Sequence, residues 1–169
     1  MRRVVILGPP GSGKSTLARQ LGERHGLPVF HLDQIYFRPG WVPVEQEIFA
    51  TEVARIAALP DWVIDGNYTA TIAPRLAAAD TVIYLDVPTW LLMARISKRT
   101  ITSYARERPE MAAGCPERFE LEFLRFALAW NRTRRARSVA VAEGFPGRGI
   151  VLRSRRPMHD LSRRLGGDA

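Results

Sequence analysis

Lysine is almost missing from a strongly basic chain: of 25 basic residues in 169, only Lys14 and Lys98 are lysines, against a formal net charge of +8. Beside abundant alanine, that imbalance is of the kind genome composition produces, so the high isoelectric point is no evidence of a partner. Cysteine is scarcer still. Cys115 stands alone, which excludes an internal disulfide and a multi-cysteine metal site and fits a reducing cytoplasm. No run of about 18 apolar residues is present, so nothing is expected to span a membrane. The opening MRRVVILG has the arginines and apolar run of a secretory signal but leads into a glycine-rich loop without a cleavage region, and reads as a first strand. Internal repeats, low-complexity segments and helix-turn-helix or RNA-binding signatures are also lacking. What remains is a chain with 46% hydrophobic residues, enough for one core, and a single domain over 1–169.

The charge is uneven. Arg95 to Arg137 holds eleven basic and five acidic residues, Arg148 to Ala169 six and two, and the remainder is slightly acidic. Such a basic half suits either nucleic acid or a polyphosphate nucleotide closing under arginines.

Short β-branched runs alternate with helical patterns, which predicts βαβ units and an α/β fold with a five-stranded parallel sheet flanked by helices. Strands are expected at Val4–Leu7, Val29–Leu32, Asp61–Asp65, Thr81–Asp86 and Ile150–Leu152. Helical spacing predicts helices over Lys14–His25, Glu45–Leu59, the stretch carrying Leu91, Leu92 and Ile96, and Glu117 to about Arg137, with a last one from near Pro157. Gln34–Pro43 has no period and reads as a loop, and Val139–Ala142 is ambiguous. Thr100–Pro116 is broken by Pro109, Gly114 and Pro116.

Directly after the first strand stands GPPGSGKST, Gly8 to Thr16. Gly8, Gly13, Lys14 and Ser15 satisfy G-x-x-x-x-G-K-S/T between a predicted strand and helix, the context that confirms a phosphate-binding loop. Glycine lets successive backbone N–H groups converge on one anion, and the helix N-terminus adds partial positive charge. Lys14 reaches the β- and γ-phosphates and the Ser15 hydroxyl is placed to ligate Mg²⁺. Gly8, Pro9, Pro10, Gly11, Ser12, Gly13, Lys14, Ser15 and Thr16 are therefore the expected ATP-binding residues, with ATP and Mg²⁺ the implied cofactors.

The whole string resembles the phosphate loop of adenylate kinases and related small P-loop kinases, and the likeness extends to VIYLDVP and RISKR. More narrowly, HLDQIYFRPGW followed by WVIDGNY resembles a bacterial branch labelled topology modulation proteins, related to adenylate kinase. The resemblance implies a P-loop NTPase domain with an acceptor-binding segment at about 33–60 and a helical lid insertion at about 99–137. It puts Asp33, at the end of the second strand, beside the acceptor, where it orients a hydroxyl or holds a Mg²⁺-bound water; capping the next turn is the structural alternative. Shikimate and gluconate kinases often have a second carboxylate two residues on, where this chain has Ile35. Asp65-Gly66 resembles the Asp-Gly pair whose aspartate serves Mg²⁺, with Asp86 as the competing candidate. That pair continues in adenylate kinases to an arginine gripping a monophosphate, but here to Asn67 and Tyr68. Arg38 or Arg75 would have to replace it, unless both are surface charge.

Tyr36, Phe37 and Trp41 either stack on a planar acceptor or pack on the core. Arg95, Arg99 and Arg132 are the lid arginines expected to act on the transferring phosphoryl, and Arg155, after the last strand, is expected near the adenine. Two classes of function follow. The first is an ATP-dependent kinase acting on a nucleotide, nucleoside or hydroxylated metabolite, cytoplasmic, as a monomer or homodimer. The alternative is a nucleic-acid-associated ATPase or nucleotide switch modulating DNA topology through the basic half.

Overall fold

Residues 1–107 and 109–153 are described in a computed structural model of the chain. They begin with β1 (Arg3–Leu7), α1 (Lys14–His25), β2 (Val29–His31), α2 (Leu32–Tyr36), β3 (Phe37–Arg38) and β4 (Val42–Pro43). Then come α3 (Gln46–Ala57), β5 (Trp62–Asp65), a 3₁₀ turn (Thr69–Thr71), α4 (Ile72–Ala78) and β6 (Thr81–Asp86). The chain continues through α5 (Thr89–Thr102), α6 (Leu121–Thr133), α7 (Arg135–Glu143) and β7 (Arg148–Arg153). The main sheet has the order β2-β5-β1-β6-β7 and every pairing in it is parallel, as the alternating pattern predicts.

β1 is central, with Val5 paired to Ile64 on one side and Val82 on the other. A strand covered on both faces has no use for polar alternation, which is why it reads as a continuous apolar run. Val4 and Ile6 join Leu17, Leu21, Leu85 and Leu92 on one face; Val5 and Leu7 join Phe49, Val53, Trp62 and Tyr84 on the other. With the helices holding both faces, the carboxyl ends of β1, β2 and β5 open together at one edge of the sheet, where open α/β sheets bind ligands.

Four departures from the sequence expectation have local causes. Gln34–Pro43 is not a loop throughout: it holds most of α2 and the β3–β4 hairpin, elements too short to show a period. Gly40 and Trp41 take φ of 80° and 64° to turn that hairpin. α4 lies where no element is expected; its Pro74 falls in the helix's first turn, where proline costs little. The helix expected from Glu117 to Arg137 starts only at Leu121 and breaks at Arg134 (φ −125°), so that α7 runs onto the sheet. There Gly149 has room for no side chain, since a Cβ would lie 1.9 Å from the carbonyl oxygen of Ala142. Finally, residues 103–107 and 109–120 of the expected lid hold turns, bends and irregular chain, and only its flanks, the end of α5 and α6, are helical.

Those turns are nonetheless anchored. Met111, Ala112, Cys115 and Glu117 are buried, and the Gly40 N–H donates to the Gly114 carbonyl at 2.8 Å, joining the lid segment to the hairpin. Among the described residues no helix is long and apolar enough to cross a membrane. The helix expected near Pro157 and the candidate Arg155 lie outside the described residues.

Candidate active site

The glycine-rich loop links the buried end of β1 to α1, as the motif requires. Gly13 caps the helix in a left-handed conformation (φ 97°), turning the first free N–H groups of α1 into the loop. Gly11 has φ 74° and a Cβ there would lie 2.8 Å from the Ile96 side chain, so the position excludes other residues. Lys14 Nζ donates to the Pro9 carbonyl at 3.1 Å and spans the loop from within. Burial pulls its pKa down, while the charges of Asp65 and Asp33 act in the opposite direction.

At the end of β5, Asp65 is only 5% exposed. Its carboxylate accepts the Ser15 hydroxyl at 2.8 Å and also contacts His31 Nδ1 at the end of β2. Burial opposes protonation of His31, but the hydrogen bond and charge of Asp65 prevail and raise its pKa. Asp33 lies in the first turn of α2, where Tyr68 Oη donates to Oδ1 at 2.6 Å. Burial and the adjacent Asp33 carboxylate push the Tyr68 phenol upward, so it stays a donor. Asp86 is differently occupied: Arg135 forks onto it through two bonds of 2.7 Å and Arg153 adds a third at 3.3 Å. The Arg135 bond holds Asp86 below the usual carboxylate range. Of the two competing carboxylates, it is Asp65 that meets the phosphate loop.

Sequence reasoning missed the work of the residues after Asp65-Gly66. Asn67 pairs with the backbone of Gly8 in both directions, Nδ2 donating to the carbonyl at 2.8 Å and Oδ1 accepting the N–H at 3.1 Å. The departure to Asn67-Tyr68 was itself the signal: one side chain ties β5 to the phosphate loop, the other to Asp33. Arg75 is fully buried and donates to the carbonyls of Gly66, Asn67, Tyr68 and Thr71, with burial lowering its pKa to about 10. It shapes this loop from behind. Arg38 is exposed. Neither lines the cavity, so neither replaces the monophosphate arginine there.

That cavity, of about 1600 Å³, joins the phosphate loop to Asp33 and Asp65 and to the rings of Tyr36, Phe37, Trp41 and Tyr68. The aromatics pack on the core and also line the cavity. Tyr36 packs on Phe49 and Tyr68 at centroid distances of 5.1 and 4.8 Å and still presents a surface to the cavity. Trp41 Nε1 donates to the Pro116 carbonyl in the lid segment at 3.1 Å.

Pro10, Gly11, Gly13, Lys14, Ser15 and Thr16 line the cavity directly, while Gly8, Pro9 and Ser12 form the loop's buried back. Arg95 reaches the loop, Nη1 donating to the Ser12 carbonyl at 3.1 Å. Arg99 lines the cavity with Nε 3.0 Å from the buried Glu117 carboxylate. Arg132, in the last turn of α6, does not line the cavity, whereas Arg134 and Arg137, beyond the end of that helix, do.

The chain is 29% identical over 138 residues to a shikimate kinase of Rhodococcus jostii (strain RHA1), covering 73% of this chain and 78% of that one. It is 29% identical over 126 residues to a cytidylate kinase of Desulfurococcus amylolyticus, covering 65% and 67% respectively. The structure of shikimate kinase from Acinetobacter baumannii in complex with shikimate is similar with a TM-score of 0.63, at 18% identity, over 98% of this chain and 90% of that one, a likeness of fold. The AAA domain model matches residues 4–113, more than half the chain, and the chain belongs to that family.

Proposed function

We propose that this protein is a small P-loop kinase that transfers the γ-phosphoryl of ATP to a small acceptor, a nucleotide, nucleoside or hydroxylated metabolite. The observation that carries the reading is the single cavity in which Lys14, Ser15 and Asp65 stand on the phosphate side and Asp33 on the other. The kinases named above are relatives of the same length class and support the activity without naming this chain's acceptor. Within the small kinases, we propose from HLDQIYFRPGW and WVIDGNY that the chain belongs with the branch labelled topology modulation proteins. That label names an effect on DNA, whereas these residues fit phosphoryl transfer.

Residue roles follow from position. The loop amides and Lys14 bind the β- and γ-phosphates. The Ser15 hydroxyl and Asp65 carboxylate are oxygen donors of the type Mg²⁺ prefers and would hold it. Once bound, the ion supplies charge neutralisation on the phosphates. Asp33, oriented by Tyr68, accepts the proton of an acceptor hydroxyl as its oxygen bonds to the γ-phosphorus and the bond to the bridging oxygen breaks. Arg95 and Arg99 stabilise the charge on the transferring group. Arg134, rather than Arg132, is the candidate from the second helix. Conditions that keep Cys115 reduced and supply ATP are those of the cytoplasm, which we propose as the location.

The test is Mg·ATP turnover against nucleoside monophosphates, nucleosides, shikimate, gluconate and 5′-hydroxyl oligonucleotides, with phosphorylated products read by mass spectrometry. One acceptor should gain a phosphoryl group, and Lys14→Ala should lower its kcat by about 10²–10³. Full transfer by that variant would refute the reading. ATP binding with no product from any acceptor would shift weight to the nucleic-acid alternative, and DNA binding in each nucleotide state would then decide.

A further inference from the structure

We infer that the acceptor carries no anionic group: it is an uncharged hydroxyl compound with a planar or apolar face, of the nucleoside kind, and not a nucleoside monophosphate or a hydroxy acid. The inference rests on the kinase reading above and narrows its substrate.

Acceptor-side chemistry is set by the chain from α2 to α4. The charged residues it contributes to the cavity wall are two carboxylates, Asp33 and Asp65, and its largest surfaces are aromatic. Three arginines lie in or beside this stretch, and none of them lines the cavity. Arg38 is exposed and away from the cavity. Arg55 is bound to Glu52 on the surface of α3 by bonds of 2.9 and 2.7 Å. Arg75 is spent on four backbone carbonyls behind the loop. Arg118 also lines the cavity, beside Trp41: it is bound to Glu120 at 2.8 Å and its guanidinium lies 5.1 Å from the Trp41 ring. Glu110 adds a further carboxylate to the lining.

A dianionic phosphate is normally recognised by an arginine fork, and a carboxylate by at least one directed cation. Among the described residues the acceptor side offers no arginine fork, and the cation beside it, Arg118, is already paired with Glu120 and stacked on Trp41. An anion there would face Asp33 in a partly dehydrated cleft, a like-charge contact that selects against it. Aromatic faces with one hydrogen-bonding carboxylate suit a neutral planar body with a hydroxyl.

Calorimetric titration of the wild-type protein, held saturated with Mg²⁺ and a non-hydrolysable ATP analogue so that the phosphate loop is filled, tests this. The probes are matched pairs: cytidine and cytidine monophosphate, adenosine and adenosine monophosphate, methyl shikimate and shikimate. In the pair that binds, the neutral member should bind at least about tenfold more tightly. An anionic member binding equally or more tightly overturns the inference, as does the failure of every neutral member to bind below ~10 mM. The kinase reading is judged separately by Lys14-dependent phosphorylation of any member. Its presence with an anionic acceptor refutes the inference and keeps the kinase; its absence from all members refutes the kinase, and the calorimetry alone then decides the charge preference.

Discussion

Replacing Asn67 by alanine isolates the clamp between β5 and the phosphate loop. The substitution removes two hydrogen bonds, at 2.8 and 3.1 Å, and leaves the N–H and carbonyl of the buried Gly8 without that partner. Two bonds at about 1 kcal/mol each, with part of the penalty for unpaired buried groups, give a loss of about 2–4 kcal/mol. For a chain of this size that lowers Tm by about 2–4 °C per kcal/mol, so roughly 4–16 °C. Because Gly8 begins the loop, ATP affinity should also fall, by about tenfold, since the amides must now be ordered on binding. Thermal unfolding with and without Mg·ATP reads both effects. Asn67→Asp, which accepts the Gly8 N–H but cannot donate to its carbonyl, should fall between alanine and wild type in stability. A Tm within ~1 °C of wild type together with unchanged ATP affinity would show that the pairing positions nothing.

Arg75→Met should cost at least about 3 kcal/mol, because four carbonyls lose a buried donor, and Arg75→Lys should recover only part of this for want of the planar fork; denaturant unfolding measures both. Gly11→Ala should weaken nucleotide binding by tenfold or more in equilibrium titration, since its φ of 74° and the Ile96 side chain at 2.8 Å leave no relaxed place for a methyl group. Asp86 sits below its ordinary 3.8, so the stability from its Arg135 fork is present above that pH and is lost as pH falls through the depressed value. Arg135→Ala should therefore cost about 1–2 kcal/mol at neutral pH, less than a fully buried pair because Arg135 is 43% exposed, and should flatten the acid limb of a Tm–pH curve.

The phosphate loop and the parallel sheet were legible in the sequence because both depend on local signals: a fixed spacing of glycine and lysine, and strands apolar throughout. The hairpin at Gly40-Trp41 and the helix α4 were not, since two- to seven-residue elements carry no measurable period and their positions are set by what they pack against. Site residues divide in the same way. Lys14 and Ser15 open α1, Asp65 ends β5, and Asp33 lies in the first turn of α2 rather than at a strand end; all four line one cavity. Which arginines reach the cavity depends on where α6 breaks, and Arg132 and Arg134 are two residues apart on opposite sides of that outcome. Arg75 could not be read at all, because its role is satisfaction of carbonyls whose exposure only the folded loop defines.

The lid segment couples the two halves of the cavity. On the acceptor side it is fixed by backbone and ring contacts: Gly114 to Gly40, Pro116 to Trp41, and the Cys115 thiol donating to the Arg38 carbonyl at 3.2 Å. One residue further on, Glu117 receives Arg99, which faces the phosphate side. Displacing the hairpin therefore moves the carboxylate that pairs with an arginine lining the cavity, since Glu117 directly follows Pro116. On the proposed kinase reading, an acceptor packed on Trp41 would steady this path and the placement of Arg99, and binding energy gained on the aromatic wall would be expressed in the rate of transfer rather than in acceptor affinity alone. Trp41→Ala should accordingly lower kcat several-fold while Trp41→Phe, which keeps a ring but loses the bond to Pro116, should fall in between. Steady-state kinetics with a productive acceptor separate this from a simple packing role, under which KM for the acceptor would rise and kcat would remain unchanged.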